Sequence, residues 1–290
     1  NYTWNNLEFV WNDDGRIDYY VIINKPRPNQ YFIAEKTIVF QMEPWVADPK
    51  CNWGAKTWGS WAVPDEKRFL KVIGRKMADA AKEYNNASWQ LELTYSQLSA
   101  MKCDVLAKED AVACICSSKY NDPGHVHRID FLNFVETKQR ESVIDESDLK
   151  ELHIPLAIFS QSNFGKFQGY QGPLPMAKKS QGYVPFKYYF MCENNYEVNY
   201  VTEKLWEPIL CECLCFYYGC PNVADYLDER AYVQLDMEDF AASYAIMQRA
   251  IKEDWWSQRI EYIRAEKHRI LNEMQFCPRL EKIIQDYGTM

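Results

Sequence analysis

The chain has 290 residues, with 33 Lys and Arg against 41 Asp and Glu, which gives a formal net charge of −8. Hydrophobic residues make up 47% and charged residues 26%, values typical of a globular protein with a sizeable core. The acidic balance argues against a non-specific nucleic-acid binder, and no apolar run approaches the ~18 residues of a membrane-spanning helix.

The first half of the chain alternates predicted strands with predicted helices. Residues 18–24, 37–42 and 110–117 are β-rich or apolar runs that predict strands. Residues 65–84 and 128–138 have the spacing of helices, and residues 91–98 fit either a strand or a short helix. Within 65–84, the residues predicted to share one helix face are Phe69, Leu70, Ile73, Met77 and Ala80.

The second half resumes the alternation after a Gly-, Pro-, Ser- and Gln-rich stretch at 161–182. Predicted strands cover 187–192, 214–218 and 232–235, and predicted helices cover 202–212, 239–252 and 255–273. Such alternation predicts an α/β protein with parallel sheets. We expect two Rossmann-like domains that face each other across a cleft. The first covers residues 1–155 and the second 156–290, with C-terminal helices that brace the first.

Ten cysteines occur without any Cys-x-x-Cys pair. Several alternate within apolar surroundings, as Cys211, Cys213 and Cys215 do, which favours buried, reduced thiols and a cytosol-like compartment. The alternative is a secreted protein with disulfides, which the sequons at Asn1 and Asn86 would fit. A Golgi lumen would fit if a leader and an anchor precede this sequence, so the localisation stays open.

Several common motifs for phosphate and metal chemistry are missing from the sequence. It contains no G-x-G-x-x-G, Walker A, G-x-S-x-G or H-E-x-x-H motif. It also has no Asp-x-Asp after a strand, the pair with which many nucleotide-sugar enzymes hold a metal. We therefore expect that no metal is bound and that Lys and Arg neutralise any bound phosphate.

The most informative segment runs from Lys187 to Trp206, where a strand is followed by a polar loop and a helix. On the predicted helix, Tyr200, Glu203 and Lys204 stand at i, i+3 and i+4 and share one face at its N-terminus, which favours anions. A carboxylate, a phenol and an ammonium together suit a sugar nucleotide. The alternative is a surface Glu–Lys pair with a core tyrosine.

This segment resembles the family 10 glycosyltransferases, the α1,3/α1,4-fucosyltransferases. Their pattern is a strand similar to YKFxLxxEN, a short gap and then YVTEK. Here Phe186–Phe190 are followed by Glu193-Asn194 and by YVTEK at 200–204.

Two upstream segments also resemble the family. The run from Val39 to Pro44 is similar to the family segment that carries a catalytic Glu, which would be Glu43. Ser117-Ser118 followed by Arg128 is similar to the family's SN…R segment, whose Arg binds the donor diphosphate. The sequence departs from the family between these segments, where WGSWAVP at 58–64 replaces the usual acceptor-recognition motif.

The resemblance implies a GT-B fold and an inverting, metal-independent transfer of L-fucose from GDP-fucose to a hydroxyl of a glycan acceptor. It implies Glu43 as the general base. The donor-binding residues that it implies, together with the spacing, are Arg128, Glu193, Asn194, Tyr200, Glu203 and Lys204. Three tryptophans near Glu43 are acceptor-side candidates because aromatic rings pack on sugars: Trp45, Trp58 and Trp61.

Two other functions stay open at this stage. The same fold could use a different nucleotide-sugar donor, or the chain could be a non-catalytic, glycan-binding relative. His125 and His127 could be metal ligands, but a third ligand is not evident, and we predict no metal site.

Overall fold

The computed structural model describes residues 2–11, 16–42, 58–74, 87–102, 108–144 and 153–287. The chain forms two compact units, one of residues 1–86 with 274–290 and the other of residues 87–273.

Eleven strands are present in the described part of the chain. They are β1 Tyr2–Trp4, β2 Leu7–Phe9, β3 Tyr20–Ile23, β4 Thr37–Gln41, β5 Lys71–Gly74, β6 Glu109–Ile115, β7 Leu156–Phe159, β8 Tyr170–Gly172, β9 Phe186–Cys192, β10 Leu214–Tyr218 and β11 Tyr232–Gln234.

Six α-helices accompany them within the same ranges. They are α1 Tyr95–Ala100, α2 Pro123–Ile144, α3 Glu203–Leu210, α4 Phe240–Lys252, α5 Trp255–Arg269 and α6 Phe276–Tyr287. A π-helical segment, Ile270–Met274, continues α5.

The unit of residues 87–273 is built on a six-stranded sheet in the order β8-β7-β6-β9-β10-β11. All of its strand pairs are parallel. This order reads outward from β6 in one direction and from β9 in the other, as in a Rossmann fold. The point where the order reverses therefore lies between β6 and β9, and ligands of such sheets bind outside the carboxyl ends of the strands at that point.

The central strands are buried because their sequences are continuously apolar or aromatic. Every residue of β9 except Lys187 is buried, and so are the first four residues of β10. Phe190 of β9 packs against Phe131 of α2, with ring centroids 5.0 Å apart. Tyr188 stacks on Phe216 of β10 at 5.6 Å. Such continuous burial is typical of parallel strands that are covered on both faces.

The other unit contains a three-stranded parallel sheet in the order β3-β4-β5. Strand β4 lies in the middle and is completely buried. Its Ile38 and Phe40 pack with Leu280 and Ile283 of α6, so the last helix of the chain belongs to this unit. Strands β1 and β2 form an antiparallel pair.

One secondary-structure prediction is wrong in this unit. Residues 71–74, predicted as part of a helix, form β5, which pairs in parallel with β4. The buried residues of this stretch divide between two clusters, with Ile73 in one and Phe69 and Val72 in the other. Two-sided burial of this kind suits a strand between two layers. Met77 and Ala80, which the sequence predicts on the same helix face, lie outside the described residues.

The structure also divides the chain differently from the expected boundary at residue 155. Strand β6 is hydrogen-bonded to both β7 and β9, so residues on either side of 155 share one sheet. The division falls instead at residues 86–87 and 273–274.

Eight of the ten cysteines lie in the described part of the chain, and all eight are buried free thiols. Cys51 and Cys103 lie outside it. None of the helices within the described ranges combines the length and apolar character that crossing a bilayer requires.

Candidate functional site

The residues predicted to bind a donor meet where β6 and β9 end. Helix α2 follows β6 and its first turn lies against the chain after β9, where the Gly124 N–H donates to the Asn194 carbonyl over 3.0 Å. A Cβ atom on Gly124 would lie 1.5 Å from the Glu193 carbonyl oxygen, so only glycine permits this approach. The site is thus at the point where the strand order reverses.

Arg128 contributes a buried positive charge to this site. It is 5% exposed, and its guanidinium donates to the backbone carbonyl of Cys192 at the end of β9. Its Nε–H has no hydrogen-bond partner, and no carboxylate of the described residues forms an ion pair with it. A buried charge without a counter-charge is costly, so this arrangement favours an anionic ligand.

Glu193 is the buried negative group of the site. Its carboxylate accepts hydrogen bonds from the Thr202 backbone N–H at 2.8 Å and from the Thr202 hydroxyl at 2.7 Å. Lys204 Nζ lies 3.4 Å from the same carboxylate. Burial raises the pKa of Glu193, and the Lys204 charge opposes that rise. The oxygens of Glu193 are therefore engaged by the protein itself.

The N-terminus of α3 is organised by this carboxylate. Thr202 is the residue before the helix, in an extended conformation, and its hydroxyl accepts from the Lys204 N–H at 3.3 Å. Because Glu193 and Thr202 already bind the amides there, the prediction of free N–H groups for an anion does not hold for Thr202 and Lys204. Glu193 itself occupies the position near the helix dipole where an anion is favoured.

The predicted helical face of Tyr200, Glu203 and Lys204 is also wrong in part. Helix α3 begins at Glu203, so Tyr200 lies in the loop before it. Glu193 holds the side chain of Thr202, and the backbone of Thr202 is extended at φ −121°. The helix therefore starts at the next residue and does not reach back to Tyr200. Tyr200 is 6% exposed and buried next to the helix start.

Lys204 and Glu203 form the more accessible edge of the site, with 22% and 23% of their side chains exposed. Lys204 Nζ lies 3.4 Å from Glu203 Oε1 and 3.1 Å from the Thr202 hydroxyl. Burial lowers the pKa of Lys204, but the two carboxylates outweigh that effect, so its pKa lies above the ordinary value. Lys204 is therefore a cation at neutral pH.

His125 lies one turn before Arg128 on α2 and is 6% exposed. Its Nδ1 lies 3.2 Å from a carboxylate oxygen of Asp122. Burial and the Arg128 charge lower its pKa, with smaller contributions from Lys119 and Lys204, while Asp122 opposes them. The charges of Arg128, Lys119 and Lys204 therefore all disfavour a proton on His125.

The remaining predicted residues divide between the two units. Asn194 directly follows Glu193, and its Oδ1 is buried without a hydrogen-bond partner. In the other unit, Trp61 packs against Phe32 and Phe69, with ring centroids 6.2 and 5.5 Å away. Trp58 is half-buried, and Lys25 Nζ lies 5.5 Å from its ring. Glu43 and Trp45 lie outside the described residues.

Sequence reasoning missed three residues that shape the site: Thr202, Gly124 and Gly219. A Cβ atom on Gly219, directly after β10, would lie 2.5 Å from Glu193 Cγ. Gly124 is the second residue of α2 and Gly219 directly follows β10, and a glycine at the end of a regular element is a signal for close packing. The partner in each contact, however, comes from a distant part of the sequence.

The structure offers no group of three His, Cys, Asp or Glu that could hold a metal ion among the residues it describes. The positive groups of the site are side chains of Arg128 and Lys204.

No protein-family model matches the sequence, and no curated protein matches it either. Solved structures do match. TarM is 10% identical, with 87% of this chain and 50% of that chain covered and a TM-score of 0.50. A trehalose-6-phosphate synthase, analysed for glycosyl transfer with retention, is 9% identical over 88% of this chain and 68% of its own, also with a TM-score of 0.50.

The chain has the GT-B fold. An α1,3-fucosyltransferase with GDP-fucose is also among the structural neighbours, with 13% identity, 91% of this chain and 81% of that chain covered and a TM-score of 0.48. The matches with TarM and the trehalose-6-phosphate synthase confirm the fold expected from the sequence. At these identities the likeness shows the fold alone. Any conclusion about the reaction has to be drawn from the residues of the site.

Proposed function

We propose that the chain is a glycosyltransferase that binds a nucleoside diphosphate sugar at the ends of β6 and β9. The observation that carries the proposal is the buried guanidinium of Arg128, which has no carboxylate partner among the described residues. A diphosphate would supply the missing negative charge, and hydrogen bonds from Arg to phosphate are among the strong ones.

Lys204 and Glu203 complete the donor site in this proposal. Lys204 is a cation at the accessible edge of the site, so it is suited to a second phosphate oxygen. Glu203 is suited to accept hydrogen bonds from hydroxyls of the ribose or sugar. Asn194 has a buried, unpaired oxygen that would accept a donor of the ligand. Tyr200 would pack beside them.

Glu193 has a positioning role in this site. Its carboxylate is buried, and it binds Thr202 and Lys204 instead of facing solvent. It holds the start of α3 and the Lys204 ammonium in place for the ligand. The sequence predicts that Glu193 contacts the donor directly. We propose instead that Glu193 contributes indirectly, through the groups that it positions.

The resemblance in EN…YVTEK favours GDP-fucose as the donor and a glycan hydroxyl as the acceptor, with inversion at the transferred carbon. In this proposal Glu43 is the general base and Trp45, Trp58 and Trp61 lie on the acceptor side. Proton acceptance by a positioned carboxylate is the usual way to activate such a hydroxyl. A different donor or a non-catalytic role are the alternatives that the experiments below separate.

Lys204→Ala should weaken GDP binding by about 1.5–3 kcal/mol, the range for a hydrogen bond to a charged group. Calorimetric titration with GDP measures this, and a thermal-shift panel of GDP, UDP and their sugars identifies the donor. Lys187→Ala is the matched control because Lys187 lies near the start of β9, at the end of the strand opposite the site, and pairs with Asp110. Equal GDP affinity in wild type and Lys204→Ala would remove Lys204 from the site.

Transfer should not require a divalent metal, because Arg128 and Lys204 supply the positive charge for the leaving diphosphate. We expect the rate in excess EDTA to stay within about twofold of the untreated rate. A loss of transfer in EDTA that Mn²⁺ or Mg²⁺ restores would contradict this assignment of charge.

A further inference from the structure

Two asparagines join the loop before α3 to the segment that follows β10. Asn222 Oδ1 accepts from the Asn199 backbone N–H over 2.8 Å, and Asn222 Nδ2 donates to Asn199 Oδ1 over 2.8 Å. The Tyr226 hydroxyl donates to the same oxygen of Asn199, also over 2.8 Å. We call Asn199, Asn222 and Tyr226 the asparagine clasp. Its hydrogen bonds connect two segments whose asparagines are 23 residues apart in the sequence.

The carboxamide of Asn222 is fully used in this cluster. Its oxygen also accepts from the Cys220 thiol over 3.0 Å, and its nitrogen also donates to Asp225 Oδ2 over 2.9 Å. An asparagine carboxamide offers two N–H donors and an oxygen with two lone pairs, so each of these positions has a partner. Asn199 and Tyr226 are only 8% and 1% exposed. A buried polar network that is fully satisfied specifies a single arrangement of its segments.

The backbone of Asn199 has an unusual conformation that needs this support. Its φ is +63°, in the left-handed region that asparagine adopts more readily than most residues with a Cβ atom. The Tyr200 N–H donates to the Glu197 carbonyl over 3.2 Å, so the chain turns at this point. The clasp binds both the side chain and the backbone N–H of the left-handed residue. It therefore fixes the direction in which the chain reaches Tyr200.

The turn leads directly into the proposed donor site. Tyr200 follows Asn199, and Thr202 caps the start of α3, with Lys204 in the first turn of the helix. Glu193 holds Thr202 through two hydrogen bonds. The clasp is a second anchor for the same segment, and its partner residues come from the chain after β10. None of the clasp residues is a proposed contact of the ligand.

We infer that the asparagine clasp is a positioning device of the donor site. Asn222 holds the turn at Asn199, and through it the start of α3, in the conformation that brings Lys204 to the diphosphate. This inference rests on the proposed function. When only a fraction of the molecules has the binding conformation, the apparent dissociation constant rises by the reciprocal of that fraction. Loss of the clasp should therefore weaken nucleotide binding although its residues do not bind the nucleotide themselves.

Asn222→Ala should weaken GDP binding about five- to thirtyfold, a factor that corresponds to one or two hydrogen bonds. Tyr226→Phe keeps the ring and removes one bond, so its loss should be smaller, about two- to fourfold. Calorimetric titration measures both, at a temperature well below the melting temperature of each variant. Asn272→Ala is the matched control and should bind GDP within about twofold of wild type. The Asn272 carboxamide accepts from the Tyr95 hydroxyl over 2.7 Å and donates to the His268 carbonyl over 2.8 Å, so its partners belong to neither segment of the clasp.

A double-mutant cycle separates positioning from an independent contribution. If Asn222 acts through Lys204, the removal of Lys204 also removes most of what Asn222 contributes. Asn222→Ala should then weaken GDP binding by no more than about twofold in the Lys204→Ala background. A combined loss equal to the product of the two single losses would show that Asn222 does not act through Lys204, and it would overturn the inference.

Two further outcomes would contradict the inference in different ways. Lower melting temperatures of Asn222→Ala and Tyr226→Phe with unchanged GDP affinity would make the clasp structural, while the proposed function stands. Wild-type protein that binds neither GDP nor UDP would overturn the proposed function and this inference together. If the thermal-shift panel identifies UDP as the nucleotide, the same titrations use UDP and the same outcomes apply.

Discussion

Arg128 and Glu193 are both buried at the end of β9, but their charges are handled in opposite ways. Glu193 accepts two hydrogen bonds from Thr202 and pairs with Lys204, so its charge is compensated within the protein. Arg128 has a backbone carbonyl and no carboxylate among the described residues. Leaving a buried charge without its partner destabilises a protein far more than breaking an ion pair on the surface. The negative charge of Glu193 therefore has its partners within the protein, whereas the positive charge of Arg128 lacks a counter-charge. This difference is the physical basis of the proposed diphosphate site.

His125 gives this site a pH dependence whose sign follows from its pKa. Burial and Arg128 lower the pKa of His125 in the folded chain below the ordinary value of about 6.5. At pH values between the lowered pKa of the folded chain and about 6.5, the unfolded chain binds more protons than the folded chain. The free energy of unfolding therefore falls as pH drops below about 6.5. His125→Gln removes this titration, so the stability advantage of wild type over the variant should shrink between about pH 7.5 and pH 5. Denaturant unfolding across that range measures it.

The exposed His153 is the matched control for that experiment. His153→Gln should run parallel to wild type across the same pH range. A wild-type advantage over His125→Gln that stays constant, or grows as pH falls, would show that His125 does not titrate with a lowered pKa.

At the scale of elements, the sequence predicts most of the larger unit and half of the smaller one. Continuous apolar runs identify β6, β9 and β10, because parallel strands buried on both faces leave no polar alternation. The helix prediction for residues 71–74 is wrong because Phe69, Leu70 and Ile73 fit helical spacing as well as a short strand. Local spacing cannot show that β4 lies alongside to pair with them.

The same limit applies to the candidate site. The pattern of YVTEK identifies Glu203 and Lys204, since their types and positions are local. The start of α3 depends on Glu193, nine residues before Thr202, so spacing alone wrongly predicts Tyr200 to be on the helix. The ring contacts of Tyr218 with His127 and Tyr196 join residues of β10, α2 and a loop, which only the parallel sheet brings together.

The last helix is a test of how the smaller unit is built. Leu280 of α6 is 3% exposed and packs with Ile38 and Phe40 of β4. Leu280→Ala should therefore destabilise the protein by about 2–5 kcal/mol, the cost of removing a buried leucine side chain from a core. Gln285→Ala on the exposed side of the same helix should cost less than about 0.5 kcal/mol. Chemical denaturation gives both values, and a Leu280→Ala cost as small as the control's would place α6 outside that core.

For the whole molecule, the fold leaves the stereochemistry of the proposed transfer open. One structural neighbour with this fold is a trehalose-6-phosphate synthase described for transfer with retention, whereas the resemblance in EN…YVTEK favours inversion. A fold constrains where a nucleotide binds, while the outcome at the transferred carbon depends on the groups around it. The residue that we propose for inversion is Glu43, in the unit that does not contain Arg128 and Lys204.

Binding and chemistry should therefore respond to different substitutions. Glu43→Gln keeps the shape of the side chain but removes its ability to accept a proton, so kcat should fall by about 10²–10⁴-fold. GDP affinity should stay within about twofold, because the proposed diphosphate contacts belong to the other unit. Lys204→Ala should show the reverse emphasis, with its main loss in nucleotide affinity. Single-turnover rates, GDP titrations and melting temperatures for both variants measure this.

A folded Glu43→Gln protein with near-normal transfer would end the proposal that Glu43 is the base, and a lower melting temperature with unchanged kcat would make its contribution structural.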